Sequence, residues 1–486
     1  TFNHGYFAKR GVSFIKPYPL VGNMLDVFLK RRHFTDIHTE IYKKFPNNRF
    51  VGFFDVITPA YIIRDPELIK QITIKDFDHF LNHRQFVDED MEPTFAKNLF
   101  SMRDQKWKNM RSVLSPAFTG SKMRLMFTLV ADYARKATTS IFDSCDKQPL
   151  ELEMKELFTR FANDIIASTA FGIEINSFKD KNNDFYRIGR EFIKFEGWKN
   201  LKVFLIMSVP KIVKIFKMKV FDPNDVAYFQ EIISSAIRYR EQNKIVRNDM
   251  INLLLQAKKN ALKSDDSDKK LDSVGIATVD EFNIGKTEST DTIKWDDEDI
   301  TAQCLIFFFA GFDTVSTALS FLTYELALNE DVQTELRSEV DQIADELDGK
   351  SLSYEHLQKM KYLDMVVSET LRKWPPAAFL DRVCSKPYLM EDFNGTRVRV
   401  EKNTTVFVPV YQIHHDPKYY SNPEKFNPWR FSESAEEKLN PNTYLPFGIG
   451  PRNCIGSRFA LMEVKAIIFN IVKNFYIEKS PKTEVS

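Results

Sequence analysis

Residues 446–456 read Pro-Phe-Gly-Ile-Gly-Pro-Arg-Asn-Cys-Ile-Gly, and an apolar run starts behind them at Phe459. No other stretch narrows the choice of fold so far. Gly448 and Gly450 admit backbone conformations that residues with a Cβ resist, and Pro451 stiffens the turn before Cys454. The reading is a tight loop leading into a buried helix, with one sulfur held among backbone N–H groups. A thiolate is the form of cysteine that binds metal, and nearby Arg452 and the helix N-terminus both favour it. A lone buried cysteine is more often a small apolar filler. Filler and ligand are the two readings of Cys454, and the remainder of the chain decides between them.

The pattern Phe447-x-x-Gly450-x-Arg452-x-Cys454-x-Gly456 resembles the heme-binding loop of the cytochrome P450 monooxygenases. In that family the cysteine is the thiolate axial ligand of heme iron. The resemblance implies a mainly α fold with a small β region, the cytochrome P450 fold of an α-helical heme domain plus a small β-sheet subdomain. It also implies heme b (iron protoporphyrin IX) as cofactor, O2 as co-substrate and Cys454 as the metal ligand. Phe447 is then expected to pack beneath the porphyrin or against the sulfur.

Bulk properties agree with an enzyme of this size and exclude some alternatives. The 486 residues can bury a large core, and 43 phenylalanines supply an aromatic interior. A formal charge of +1 argues against a general nucleic-acid binder. Cys145, Cys304, Cys384 and Cys454 form no C-x-x-C pair, which fits a reducing compartment. No histidines form an H-E-x-x-H arrangement, and the adjacent His414 and His415 read as a structural loop or strand-end feature. No run reaches the roughly 18–20 apolar residues of a spanning helix. Lys9-Arg10 followed by Pro17-Tyr18-Pro19-Leu20 resembles the hinge behind the N-terminal anchor of microsomal P450s. The expectation is one catalytic domain over residues 1–486, with the N-terminal membrane anchor and the C-terminal strands absent from this chain.

Further motifs follow in the family's order. Residues 50–56 and 60–63 read as two short strands separated by Thr58-Pro59, and Asp65-Pro66 opens a helix. Trp107 and Arg111, at i,i+4 on one helical face, match the W-x-x-x-R pair that holds a heme propionate. Residues 201–221 are apolar with interspersed lysines, which suits a membrane surface. The polar stretch within 259–291 reads as a disordered linker. A long apolar helix over residues 297–329 carries Ala310-Gly311-Phe312-Asp313-Thr314, the family's oxygen-activation signature, with Asp313 taken as a buried carboxylate. Glu369 and Arg372 (E-x-x-R), with Arg430 of Pro428-Trp429-Arg430-Phe431, match the clamp that holds the cysteine loop. Residues 406–411 read as a return strand, and Arg382 resembles the family's second propionate arginine.

From the resemblance, Asp313 and Thr314 are the catalytic pair for proton delivery. Trp107, Arg111, Ala310, Arg382, Phe447, Arg452 and Cys454 are the cofactor-binding residues. Ile306, Phe309, Ala377 and Phe379 line an apolar substrate pocket. Glu369, Arg372 and Arg430 are a structural clamp. The chain has no G-x-G-x-x-G signature, so electrons from NADPH must arrive through a separate flavoprotein, an NADPH-cytochrome P450 reductase, with cytochrome b5 as a further candidate donor. Lys106, Lys108 and Arg124 suggest a basic docking face. The implied setting is the cytosolic face of the endoplasmic reticulum membrane, and the implied activity is oxygen insertion into apolar small molecules, including xenobiotics. The alternatives are a heme-thiolate isomerase or dehydratase and a non-catalytic heme-binding protein.

Overall fold

The computed structural model describes residues 5–85, 89–145, 148–194, 199, 202, 205–206, 219–259, 275–278, 295–435 and 438–484. The membrane-surface segment proposed at 201–221 therefore lies mostly outside the described residues.

Strands β1 (Phe50–Asp55) and β2 (Thr58–Ile63) form an antiparallel hairpin in which Val51 faces Ile62. The turn falls at Val56-Ile57, with Val56 at a φ of 57°, so Pro59 lies inside β2 and does not separate the strands. It sits near the strand end, where a missing N–H is tolerated. Two later segments complete this sheet: β3 (Leu380–Val383) and, after an intervening hairpin, β6 (Thr405–Val408). The strand order is β1-β2-β6-β3, with β6 parallel to β2 and antiparallel to β3. The hairpin itself is β4 (Tyr388–Glu391) with β5 (Arg397–Val400). The return strand ends at Val408, because Pro409 offers no N–H to a ladder and Val410–His414 turns into a short helix.

The helices that build the site are α1 (Asp104–Leu114), α2 (Gly120–Ser144), α3 (Met154–Ala170), α4 (Asp184–Ile193), α5 (Pro223–Asn243), α6 (Met250–Lys258), α7 (Asp297–Leu328), α8 (Glu330–Leu347), α9 (Lys361–Lys373) and α10 (Ser457–Asn474). Asp296 and Asp299 form a capping box at the start of α7. By length and composition α7 could cross a bilayer, yet it is the central core helix, packed against α3, α5, α9 and α10. Gly311 explains the closeness to α3: a Cβ there would stand 2.9 Å from Ile166 Cδ1. Helix α10 packs on α2, α8 and α9, so the helix behind the cysteine loop is held from several sides.

Part of the stretch read as a disordered linker is docked. The Ile276 N–H donates to Asp364 Oδ2 (2.9 Å), and Ala277 is buried in the main core. Residues 260–274 and 279–294 lie outside the described residues.

Candidate functional site

The cysteine loop is built by its glycines. Gly448 and Gly450 have φ of 75° and 80°, and a Cβ on Gly450 would collide with the Thr73 carbonyl. The Gly448 N–H donates to Leu445 O (3.1 Å), Asn453 N–H to Gly450 O (2.9 Å) and Cys454 N–H to Phe447 O (2.9 Å). The Cys454 side chain is exposed by surface area, although protein surrounds it and residues 450–453 beside it are buried. That combination describes a sulfur facing an internal space. Burial pushes the thiol up, opposed by the Gly456 backbone N–H and by Arg111. The sequence argument expected Arg452 to act on the thiol; the cation that does so is Arg111.

Arg452 turns the other way. Its Nε and Nη2 donate to Leu81 O and Met102 O (2.8 Å each), and its guanidinium lies 4.0 Å from the Trp107 ring centroid. Arg111 donates to Asn453 O (2.9 Å) and Asn453 Oδ1 (2.7 Å), holding the residue before Cys454. Arg382 on β3 donates to Asp381 O (2.6 Å), and burial brings it down to about 10. Arg452 is lowered further, first by burial and then by the charges of Arg382 and Arg111, with Asp381 and Asp104 opposing. Three buried guanidiniums thus crowd one region beside Trp107, and the charges of Arg382 and Arg111 bear on Arg452. An anionic group placed there relieves that repulsion, so the residues suit the carboxylates of heme while also bracing the loop.

His83 belongs to this cluster and was missed from sequence. Its Nδ1 lies 3.0 Å from Asp381 Oδ1, its ring stacks on Phe100 at 4.5 Å, and it feels the charges of Arg382 and Arg452. The available signal was Asn82-His83-Arg84, polar residues inside an irregular apolar stretch.

On α7, Ala310 and Thr314 are exposed within an otherwise buried helix, whereas Phe308, Phe312, Val315 and Ser316 are buried. Positions i and i+4 share a face, so this stripe also looks onto an internal space. Thr314 Oγ1 donates to Ala310 O (2.6 Å). Asp313 is not the buried carboxylate expected: its side chain is 61% exposed, and Lys155 Nζ on α3 lies 2.8 Å from its Oδ1. The same Nζ donates to Asp313 O (3.0 Å), Ser316 Oγ (2.9 Å) and Thr317 Oγ1 (2.5 Å). Lys155 is the second residue that sequence reasoning missed, because its partners lie about 160 positions away.

Among the proposed pocket residues, Ile306 is nearly buried, Phe309 meets Phe95 edge-on at 5.9 Å, and Ala377 is exposed. The Phe379 ring packs on Phe34 and Phe407 (5.0 and 5.7 Å), beside the sheet. A cleft of about 220 Å³ between Glu92, Phe95, Phe192, Phe221 and Gln230 reaches Leu305, one turn before Phe309. A cleft of about 270 Å³ between α2, the end of α8 and α10 shares no lining residue with the cysteine loop. Its Lys473 lies in the last turn of α10, where a cation favours the carbonyl end, and the Lys350 backbone N–H donates to Leu347 O at the end of α8 (2.8 Å).

The clamp lies behind the loop. Glu369 accepts from Arg372 Nε (2.7 Å) and Nη2 (2.9 Å), Asn427 N–H (3.0 Å) and Arg430 Nε (3.4 Å). Burial pushes His414 down to about 3, so it is neutral; its Nε2 accepts from Leu445 N–H (2.9 Å), which leaves the proton on Nδ1 to reach Arg372 O (3.0 Å). His414 and His415 close the short helix Val410–His414, and His414 connects clamp to loop.

The cytochrome P450 family model matches residues 13–486. The chain is 44% identical to "Probable cytochrome P450 9f2" of Drosophila melanogaster, over 99% of this chain and 90% of that protein. It is 42% identical to "Cytochrome P450 9e2" of Blattella germanica, over 100% and 90% respectively, and 36% identical to "Cytochrome P450 6k1" of the same insect, over 99% and 88%. With a glycine-built cysteine loop, a guanidinium cradle fit for heme carboxylates and an exposed Ala310–Thr314 stripe on the core helix, these matches settle the class: the chain belongs to the cytochrome P450 family and is a heme monooxygenase.

Proposed function

We propose that this monooxygenase acts on apolar small molecules, xenobiotics among them, with electrons from NADPH delivered by a separate flavoprotein reductase at the cytosolic face of the endoplasmic reticulum. The observation that carries the reading is the pair of exposed surfaces in a buried interior: the Cys454 sulfur and the Ala310–Thr314 stripe. Heme bound at this site would be held by the Cys454 thiolate and would supply the oxygen chemistry. Arg111, Arg382, Arg452 and Trp107 would hold its carboxylates, with Phe447 packing at the loop. Thr314 Oγ1 rests on Ala310 O and can turn its proton toward the internal space; Asp313, at the solvent-exposed side, is the station that refills it. The cleft leading to Leu305 is of mixed character, with Phe95, Phe192 and Phe221 beside Glu92, Lys219 and Glu298, and its aromatic side, continued by the Phe95–Phe309 contact, supports an apolar substrate.

The docking face is narrower than the sequence suggested. Lys108 is paired with Asp78 (2.6 Å), Arg124 with Glu355 (2.8 Å) and Lys106 with Glu89 (3.2 Å). Of these, Lys106 is the most exposed and the best placed to exchange its partner for an acidic reductase. Tyr18, Leu20 and Ile57 are exposed apolar side chains brought near one another where Gly22 bridges Tyr18 and Asp55, which supports contact with a membrane surface.

Turnover of Thr314→Ala with NADPH and reductase tests the proton role. The expected result is a higher ratio of peroxide to product at similar NADPH consumption. A ratio equal to that of the unmodified enzyme refutes the assignment, and the absence of any NADPH-dependent oxygen consumption in the unmodified enzyme refutes the monooxygenase cycle proposed.

A further inference from the structure

The cysteine loop is tied to α9 at both ends. On its entry side the Tyr444 hydroxyl donates to Ser368 O (2.9 Å). On its exit side the chain passes directly into α10, and Lys465 Nζ of α10 meets Asp364 Oδ1 of α9 at 2.7 Å, both side chains being nearly buried. Lys465 is eight residues, about 12 Å, along the helix from Ser457. The exit tie is therefore one of the contacts that fix α10, and the cysteine in front of it, relative to α9.

This ion pair has a lid made of a distant piece of chain. The Ile276 N–H donates to Asp364 Oδ2 (2.9 Å), while Oδ1 faces the Lys465 ammonium at 2.7 Å as an ion pair. Gly275 lies directly over the pair: a Cβ there would collide with Asp364 Oδ1 and stand 2.9 Å from Lys465 Nζ. Any side chain at 275 would force the ends of Asp364 and Lys465 to shift. Thr278 N–H donates to Gly275 O (3.0 Å), closing a turn, and Ala277 is buried in the core. The Ile276 side chain points outward and is 45% exposed, so the contact is made by backbone and glycine and not by a hydrophobic plug. Glu339 of α8 accepts the Tyr362 and Leu363 N–H groups (2.8 Å each) at the start of α9, which pins the other side of the junction.

We propose that residues 275–278, by closing over the Asp364–Lys465 pair, fix α10 against α9 and act as a positioning element for Cys454; the proposal rests on Cys454 being the heme ligand. An open pair would take up water and leave Asp364 Oδ2 without its donor, loosening the exit tie while the entry tie at Tyr444 stays intact. The loop would then keep only its Tyr444 tie to α9, with α2, α8 and the Arg111–Asn453 bonds as its remaining supports.

The test is hydrogen exchange and carbonyl spectroscopy on the heme-loaded enzyme. In the unmodified protein the Ile276 amide is expected to exchange at least about a hundredfold more slowly than an unstructured amide; exchange at the unstructured rate overturns the proposal. In Gly275→Ala the amides of residues 457–461 are expected to exchange about tenfold faster, and the thiolate signature of the ferrous carbonyl complex to decay about tenfold faster, the factor for one lost hydrogen bond. Ile276→Ser, which keeps the N–H and the glycine, is expected to leave both at the unmodified values. Unchanged exchange and decay in Gly275→Ala, or equal disruption by Ile276→Ser, overturns the proposal. Should Gly275→Ala not accumulate, the Ile276 amide of the unmodified enzyme still decides it. An unmodified enzyme whose ferrous carbonyl lacks the thiolate signature would instead refute Cys454 as ligand, and Ile276 protection would be unaffected.

Discussion

Replacing Glu369 with glutamine is an isosteric change with a large expected cost. The carboxylate is fully buried and accepts from Arg372 Nε and Nη2, Arg430 Nε and the Asn427 N–H. Glutamine retains one acceptor oxygen and turns an NH2 group toward the guanidiniums. Arg372 cannot swing out to water, because its Nη1 and Nη2 are also held by His414 O (2.9 Å) and Pro423 O (2.7 Å). Two nearly buried cations would thus lose their counter-ion in place. Removing one partner from a buried pair costs about 3–5 kcal/mol, against a total stability of about 5–15 kcal/mol. Urea unfolding followed by circular dichroism at pH 7 should show Glu369→Gln less stable by that amount, with an unchanged slope. Lys106→Gln, which breaks the exposed pair with Glu89, should move stability by less than about 1 kcal/mol. A loss below about 1 kcal/mol for Glu369→Gln would refute the reasoning, since it would mean the guanidiniums are solvated or satisfied by the carbonyls alone.

Lys155→Met removes the ammonium shared by Asp313, Ser316 and Thr317. The pair is partly exposed, so stability should change by less than about 1 kcal/mol, while the ratio of product to oxygen consumed should shift. Glu463 is fully buried on α10 with no hydrogen-bond partner for either oxygen among the described residues, and burial raises it well above the usual carboxyl range. Its folded state holds the proton that the unfolded chain releases above about pH 4.3, so stability falls as pH rises from there. Glu463→Gln should therefore flatten the stability difference between pH 5 and pH 8 in urea titrations, and an unaltered difference counts against a buried neutral Glu463. Gly395 and Gly450 share φ near 80°, but only Gly450 faces a backbone carbonyl where the Cβ would be. Gly395→Ala should cost about 1–2 kcal/mol from the left-handed conformation, and Gly450→Ala clearly more, by the same measurement.

What sequence made legible and what it did not divide along one physical line, the range of the interaction. The cysteine loop is local: Gly448, Gly450 and Pro451 dictate a turn, and the apolar run behind it dictates a helix. Glu369 and Arg372 are one turn apart, and the long apolar helix α7 announces itself by length. Asp313 shows where local reasoning fails. Its neighbours Phe312, Val315 and Ser316 are buried, and an apolar context suggested that the carboxylate is buried too. Helical geometry sends it to the other side, and its partner Lys155 comes from a helix far back in the chain. Arg452 fails for the same reason: sequence places its cation two residues from Cys454, but its guanidinium is drawn off to three carbonyls and a tryptophan from residues 81–107. Residues 275–278 are the sharpest case. Their composition predicts a solvated linker, and composition judges side chains, whereas this docking uses a backbone N–H and the absence of a Cβ. A glycine in a polar stretch carries no hydrophobic signal, so a contact that requires glycine is invisible to any reading that weighs only what side chains bury. The same logic applies at Gly450, where the turn was legible but its fit against Thr73 was not. Glycines in this chain should therefore be read twice, once for the conformation they allow and once for the neighbour they admit.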